Sequence, residues 1–277
     1  MDALRKPGTA PEGAAPPTPR GGEEPPRIAG WVKTTLLDYP GKVASTLFLR
    51  GCNFRCPYCH NPELVDRPAE DGPALLDPED IFAYFSTFSR LLEGVCISGG
   101  EPLLQKGLPS LCRRLASLGL KVKLDTNGSQ PEKLGPLIEE NLLDYVAVDV
   151  KGPPGKLGAI SRAGVAEGEL VRSLEATVEI LKEAGIRFEL RTTVVPGLLG
   201  EDDLHALAVW MKGAPRFVLQ QFRPGTTLDP SFREIAPYPP QTLRTLAGSL
   251  SGFFGACSVR GVGDPSPASS TAQPRPR

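Results

Sequence analysis

The run Cys52-Asn53-Phe54-Arg55-Cys56-Pro57-Tyr58-Cys59 places three thiols in one short loop. A structural zinc site closes its tetrahedron with four protein ligands, and an electron-transfer 4Fe-4S cluster usually takes four cysteines. Three thiolates leave one coordination position open to a substrate, so the spacing points to chemistry at the metal. Other readings of the loop stand beside this one. Cys56-Pro57-Tyr58-Cys59-His60 fits the pattern of covalent haem attachment, which requires export, and the N-terminus shows Asp2, Glu12, Glu23 and Glu24 with no apolar stretch. A Cys3His zinc site using His60 has suitable ligand types, but adjacent Cys59 and His60 reach one tetrahedral ion only with difficulty. Plain core cysteines fit poorly, because Asn53, Arg55, Pro57 and His60 make the segment polar and irregular.

Outward from this loop, short β-branched runs alternate with helical patterns, the rhythm of a parallel α/β sheet. Strands are expected near Val43 to Leu49, Gly94 to Ile97, Lys121 to Leu124, Tyr145 to Val148, Arg187 to Thr192 and Phe217 to Gln220, with Ala256 to Arg260 as a seventh candidate. Helices are expected near Pro78 to Arg90, Gly107 to Leu118, Glu132 to Asn141, Glu169 to Ala184, Asp202 to Lys212 and Pro240 to Ser251. Unusual clusters follow the C-terminal ends of these strands: the cysteine loop, Ser98-Gly99-Gly100-Glu101-Pro102, Asp125-Thr126-Asn127-Gly128, Asp149-Val150-Lys151, Thr193-Val194-Val195-Pro196-Gly197 and Gln221-Phe222-Arg223-Pro224. In a parallel barrel these loops converge on one face, where barrel active sites lie.

Both ends differ in composition. The first 26 residues hold seven of the 30 prolines, and the chain from Val262 onward is rich in Pro, Ser, Ala and Arg. Neither end has the composition of a packed core. The expected organisation is a disordered tail over 1–26, one domain over 27–261 and a second disordered tail over 262–277. The net charge of -1, from 31 basic and 32 acidic residues, gives no global field for nucleic acid or an anionic membrane. No apolar run approaches the roughly 20 residues of a membrane span. A soluble, cytoplasmic protein is therefore expected, and Cys96, Cys112 and Cys257 read as buried, reduced thiols.

The C-x3-C-x2-C loop, with Tyr58 before its last cysteine, resembles the signature of the radical S-adenosylmethionine (SAM) enzymes. Within that superfamily, Gly30-Trp31-Val32-Lys33-Thr34-Thr35-Leu36-Leu37-Asp38-Tyr39-Pro40-Gly41-Lys42 and Gly51 to Pro62 resemble the glycyl-radical-enzyme activases, most closely those of anaerobic ribonucleoside-triphosphate reductase and also those of pyruvate formate-lyase. The resemblance implies a partial (β/α)6 barrel. It implies that Cys52, Cys56 and Cys59 hold a 4Fe-4S cluster, and that SAM on the unique iron is cleaved to a 5'-deoxyadenosyl radical. A glycyl-radical enzyme would be the protein substrate, with flavodoxin or ferredoxin as electron donor.

The same resemblance places Tyr58 against adenine, Gly99 and Gly100 where backbone approaches the ligand, and Glu101 on the SAM ammonium. Asp125, Asp149 and Lys151 would support SAM and, through the aspartates, a monovalent cation. Arg191 and Thr193 would contact the SAM carboxylate or ribose. Pyruvate formate-lyase activase has a histidine near the adenosine where this chain carries Arg223, which leans the resemblance towards the reductase-activating branch. With no second cysteine cluster between Cys59 and Cys96, no insert with auxiliary clusters is expected. Two other functions remain open on the sequence: a radical SAM enzyme acting on a small molecule or another peptide, and a non-catalytic zinc-binding protein.

Overall fold

The computed structural model of the chain describes residues 24–65, 74–88 and 90–262. One eight-stranded sheet organises them, with its strands in chain order from edge to edge. Ile28–Thr35 (β1) pairs antiparallel with Ala44–Leu49 (β2). Parallel pairing then runs through Gly94–Gly99 (β3), Lys121–Thr126 (β4), Tyr145–Asp149 (β5), Phe188–Val194 (β6), Phe217–Gln221 (β7) and Cys257–Arg260 (β8). Because β1 and β8 are both edges, the barrel is open along one side.

The six expected strands and the seventh candidate are present, and β1 is an addition. Its sequence, Ile-Ala-Gly-Trp-Val-Lys-Thr-Thr, lacks clean alternation, and its pairing with β2 carries two register irregularities. Most of the two expected tails lies outside the described residues. Glu24–Pro26, expected in the first tail, instead run beside Gly107, where a Cβ would come within 2.3 Å of the Glu24 carbonyl oxygen.

The connecting helices are Pro78–Phe88 (α1), Leu108–Ser117 (α2), Pro131–Glu139 (α3), the short Leu157–Ser161 (α4), Glu167–Glu183 (α5), Glu201–Trp210 (α6) and Pro240–Ser249 (α7). In α1 the Asp77 carboxylate accepts from the Glu79 backbone N–H at 2.9 Å, Pro78 occupies the first turn, and Glu79 and Asp80 face the positive end of the dipole. Ile81, Phe82 and Phe85 form its buried stripe. Along α5 the buried residues Leu170, Leu174, Thr177, Val178 and Leu181 keep the helical period. These stripes pack on the outer face of the sheet, where Val95, Ile97, Val122, Leu124, Val146, Val148 and Leu190 belong to the same apolar core. Full burial of each such side chain contributes about 1.5–3 kcal/mol.

The inner face follows the alternate residues of the same strands. Near the strand starts, Tyr39, Ala44 and Tyr145 form a separate buried cluster that plugs the barrel floor. Above it the interior is polar: Thr46, Lys123, Glu189 and Arg191 are all buried. Glu189 is matched by paired hydrogen bonds from Arg260 at 3.0 and 3.2 Å and by the Tyr145 hydroxyl at 3.1 Å.

Candidate active site

The cysteine loop leaves β2 at the C-terminal end of the strands and is held from several sides. Gly51 N–H donates to the Leu64 carbonyl at 2.7 Å, Arg55 N–H to the Ser161 carbonyl at the end of α4 at 2.7 Å, and Asp229 N–H to the Pro57 carbonyl at 2.8 Å. Asn53 donates to Ser129 Oγ at 2.8 Å and accepts from Asn127 at 2.9 Å, which ties the loop to the one after β4. Sequence reasoning passed over this amide bridge, because Asn and Ser in loops are ordinary turn residues.

Gly99 and Gly100 bring the loop after β3 against the cysteine loop. Gly100 N–H donates to the Leu49 carbonyl and Glu101 N–H to the Gly51 carbonyl, both at 2.8 Å. A Cβ on Gly100 would lie 2.0 Å from the Gly51 oxygen, and Gly99 has φ +118° with Leu49 backbone 2.3 Å from its would-be Cβ. The close approach made by these glycines is to the backbone preceding Cys52, although both also line the cavity.

That cavity, of about 620 Å³, is bordered by all three cysteines, Tyr58, Gly99, Gly100, Asp125, Asp149, Lys151, Arg191, Thr193 and Arg223. Glu101 is the exception among the expected residues. Its carboxylate is fully buried and accepts from Thr126 Oγ1 at 2.8 Å, Asn127 N–H at 2.6 Å and Leu103 N–H at 3.1 Å. In this arrangement Glu101 braces the loops after β3 and β4 from behind the cavity wall. Burial pushes its carboxyl up to about 7, against the lowering effect of those hydrogen bonds.

A chain of alternating charges crosses the cavity floor. Lys123 pairs with Asp125 Oδ1, Arg191 Nη1 with Asp125 Oδ2 at 3.0 Å, Arg191 Nε with Asp149 Oδ1 at 2.9 Å, and Lys151 with Asp149 Oδ2 at 3.4 Å. Burial alone would raise the two carboxyls, but Arg191 with Lys123 holds Asp125 well below the usual range, and Arg191 with Lys151 lowers Asp149. Burial would lower Lys151, yet Asp149 holds it above its ordinary value. Lys123 was missed from sequence, though its place two residues before Asp125 on a strand sets both on the inner face. All four carboxylate oxygens already face a protein cation, so the pair does not fit the monovalent ion expected there.

The cysteines fit an iron-sulfur cluster. Burial pushes Cys52 up to about 12 and Cys56 up to about 11 and raises Cys59, so these thiols become thiolates most readily when a cationic centre offsets the desolvation. Among the described residues, no three His, Cys, Asp or Glu side chains converge as a single metal ion requires. His60, the fourth ligand of the zinc reading, stacks on Phe222 with ring centres 6.1 Å apart. A SAM-sized ligand also fits: the volume lies in the usual range for small-molecule sites, and the buried Tyr58 hydroxyl on the cavity wall has no hydrogen-bond partner. Of the remaining cysteines, Cys96 and Cys112 are buried as expected, whereas Cys257 on edge strand β8 is only half-buried.

A second cavity of about 640 Å³ adjoins the first, sharing Asp38, His60, Arg191, Thr193, Gln220 and Arg223. It opens through the gap in the barrel, between Leu36 and Leu37 after β1 and Arg260 to Val262 at β8. Leu36 and Leu37 are 71% and 81% exposed.

Comparison with known proteins agrees with this geometry. A protein of Methanocaldococcus jannaschii, named as a glycyl-radical enzyme activating enzyme, is 32% identical over 236 residues, covering 85% of this chain and 96% of that one. Pyruvate formate-lyase 1-activating enzyme of Escherichia coli is 30% identical over 184 residues, covering 64% and 71%. A radical SAM methyltransferase from Sphaerobacter thermophilus shares the fold, with TM-score 0.60 and 16% identity over 80% of this chain and 67% of that one. The model of the radical SAM superfamily matches residues 46–208. That span runs unbroken from the strand before the cysteines into α6 and takes in most of the loops around the cavity, so the chain belongs to the radical SAM superfamily and is a radical SAM enzyme.

Proposed function

We propose that the protein is a glycyl-radical-enzyme activase whose partner is an anaerobic ribonucleoside-triphosphate reductase. The observation that carries this reading is the second cavity: the SAM-sized space continues into an open side of the barrel, rimmed by Leu36 and Leu37. A glycine held in a polypeptide loop needs a path wide enough for the backbone on either side of it, and this opening provides one. The names of the M. jannaschii and E. coli relatives support the reading.

Cys52, Cys56 and Cys59 hold the 4Fe-4S cluster, and Tyr58, Gly99, Gly100, Asp125, Asp149, Lys151, Arg191, Thr193 and Arg223 surround SAM. When bound, the cluster would supply the one electron, received from a flavodoxin or ferredoxin, for cleavage of the C5'–S bond of SAM with methionine as the leaving group, and the hydrogen atom lost by the partner's glycine Cα would end on 5'-deoxyadenosine. The protein binds, orients and excludes water. Arg191 holds Asp125 through Nη1 and Asp149 through Nε, a planar fork that fixes both aspartates on the cavity floor beneath the ligand. Tyr58 lines the cavity between Cys56 and Cys59, and its buried hydroxyl has no partner within the protein.

The test is anaerobic reconstitution with iron and sulfide, then reduction with SAM in the presence of the candidate reductase. Formation of 5'-deoxyadenosine with a glycine-centred paramagnetic signal on the reductase, both absent with Cys56→Ala, is expected. Deoxyadenosine formation with no signal on any glycyl-radical enzyme of the host would defeat the partner assignment.

A further inference from the structure

We propose that the Lys123 ammonium is a built-in cation that replaces the monovalent ion expected beside Asp125 and Asp149, so that the ligand site works without alkali metal ions. The inference rests on the SAM-site reading for its functional consequence and on the ion chain for its physical basis.

Lys123 is completely buried on β4, and its Nζ reaches Asp125 and, at 3.5 Å, Cys96 Sγ. Arg191 takes the other Asp125 oxygen and one of Asp149, and Lys151 takes the last. An alkali ion requires several oxygen ligands, and each oxygen of those two carboxylates already faces a protein cation. A free ion placed there would also meet Lys123 and Arg191 as like charges at short range in a poorly solvated interior. The tethered ammonium supplies the same positive charge at a fixed point. Its side-chain entropy is lost on folding, so that cost is absent when the ligand binds. A strand position two residues from the aspartate is what puts the ammonium on the inner face.

The experiment compares iron-loaded wild type with Lys123→Ala, which leaves room for an ion. Both are held in N-methyl-D-glucamine chloride at constant ionic strength and titrated with NaCl or KCl. Thermal midpoint and SAM affinity by equilibrium dialysis are the readouts. Wild type is expected to show no saturable alkali-ion effect on either. Lys123→Ala is expected to melt lower and to bind SAM about tenfold or more weakly without alkali ions, and to regain both saturably when they are added. Saturable tightening or stabilisation of wild type by Na+ or K+ would overturn the inference, as would a Lys123→Ala protein that matches wild type with no alkali ion present. If Lys123→Ala fails to fold, the wild-type titration decides alone. Absence of SAM binding by folded, iron-loaded wild type would defeat the site reading instead, and the thermal midpoints would still decide the role of Lys123.

Discussion

Glu101 shows how a single side chain can brace two loops. A carboxylate after two glycines suits an ammonium group, yet here three donors from Thr126, Asn127 and Leu103 enclose it. Burial raises its pKa from the usual carboxyl range to about 7, so its contribution to folding is full below the unfolded value and lost as pH rises through about 7. The thermal midpoint of wild type should therefore fall, relative to Glu101→Gln, between about pH 4.5 and 7; parallel curves for the two proteins would refute this. Gly100→Ala places a methyl against the Gly51 carbonyl and should cost about 1–3 kcal/mol, measured by denaturant unfolding, with reduced iron loading. Arg191→Lys keeps the charge but loses the fork between Asp125 and Asp149. SAM affinity measured by dialysis should drop about tenfold or more, consistent with loss of one buried charge-assisted hydrogen bond.

Among elements, the cysteine loop and α1 carry opposite lessons. The loop was legible at once, because three ligands within one short segment are set by covalent spacing. Its pH response follows from its burial: three thiols held protonated when metal-free release protons on iron loading, so loading should rise steeply with pH, by up to about a thousandfold in affinity per unit if all three titrate. Iron content after anaerobic reconstitution at pH 6 and pH 8.5 checks this; equal loading would mean the thiols ionise without the metal. Helix α1 was expected near Pro78 to Arg90 and runs over Pro78–Phe88. Phe85 is fully buried, against Trp31 and Phe82, so Phe85→Ala should lower stability by about 3–5 kcal/mol in urea unfolding. Strand β1 escaped the reading. Trp31 and Gly30 drew attention as part of a motif, and an edge strand with irregular register carries no alternation to find.

For the whole molecule, the open side of the barrel is the feature with the largest functional consequence. Exposed Leu36 and Leu37 border the gap without lining the cavity of the cysteines. The double change Leu36→Glu and Leu37→Glu should leave SAM cleavage by the reduced protein near wild type and greatly weaken radical formation on the partner. Equal loss of both activities, measured as deoxyadenosine and as the glycyl signal, would show that this rim serves the SAM site itself. Among the described residues, no helix is long and apolar enough to cross a membrane, in line with the absence of a long apolar run.

The sequence by itself determined the three-thiolate loop, the run of parallel strands and the face on which their loops gather, because ligand spacing and hydrophobic period are properties of neighbours in the chain. The tertiary structure decided the rest. Whether Glu101 meets a ligand or Asn127, whether Lys123 points into the barrel as a fixed charge, and whether β1 and β8 join or leave a gap depend on groups brought together across the fold. Burial and pairing across such distances set the energy of a charge, and the order of residues records neither.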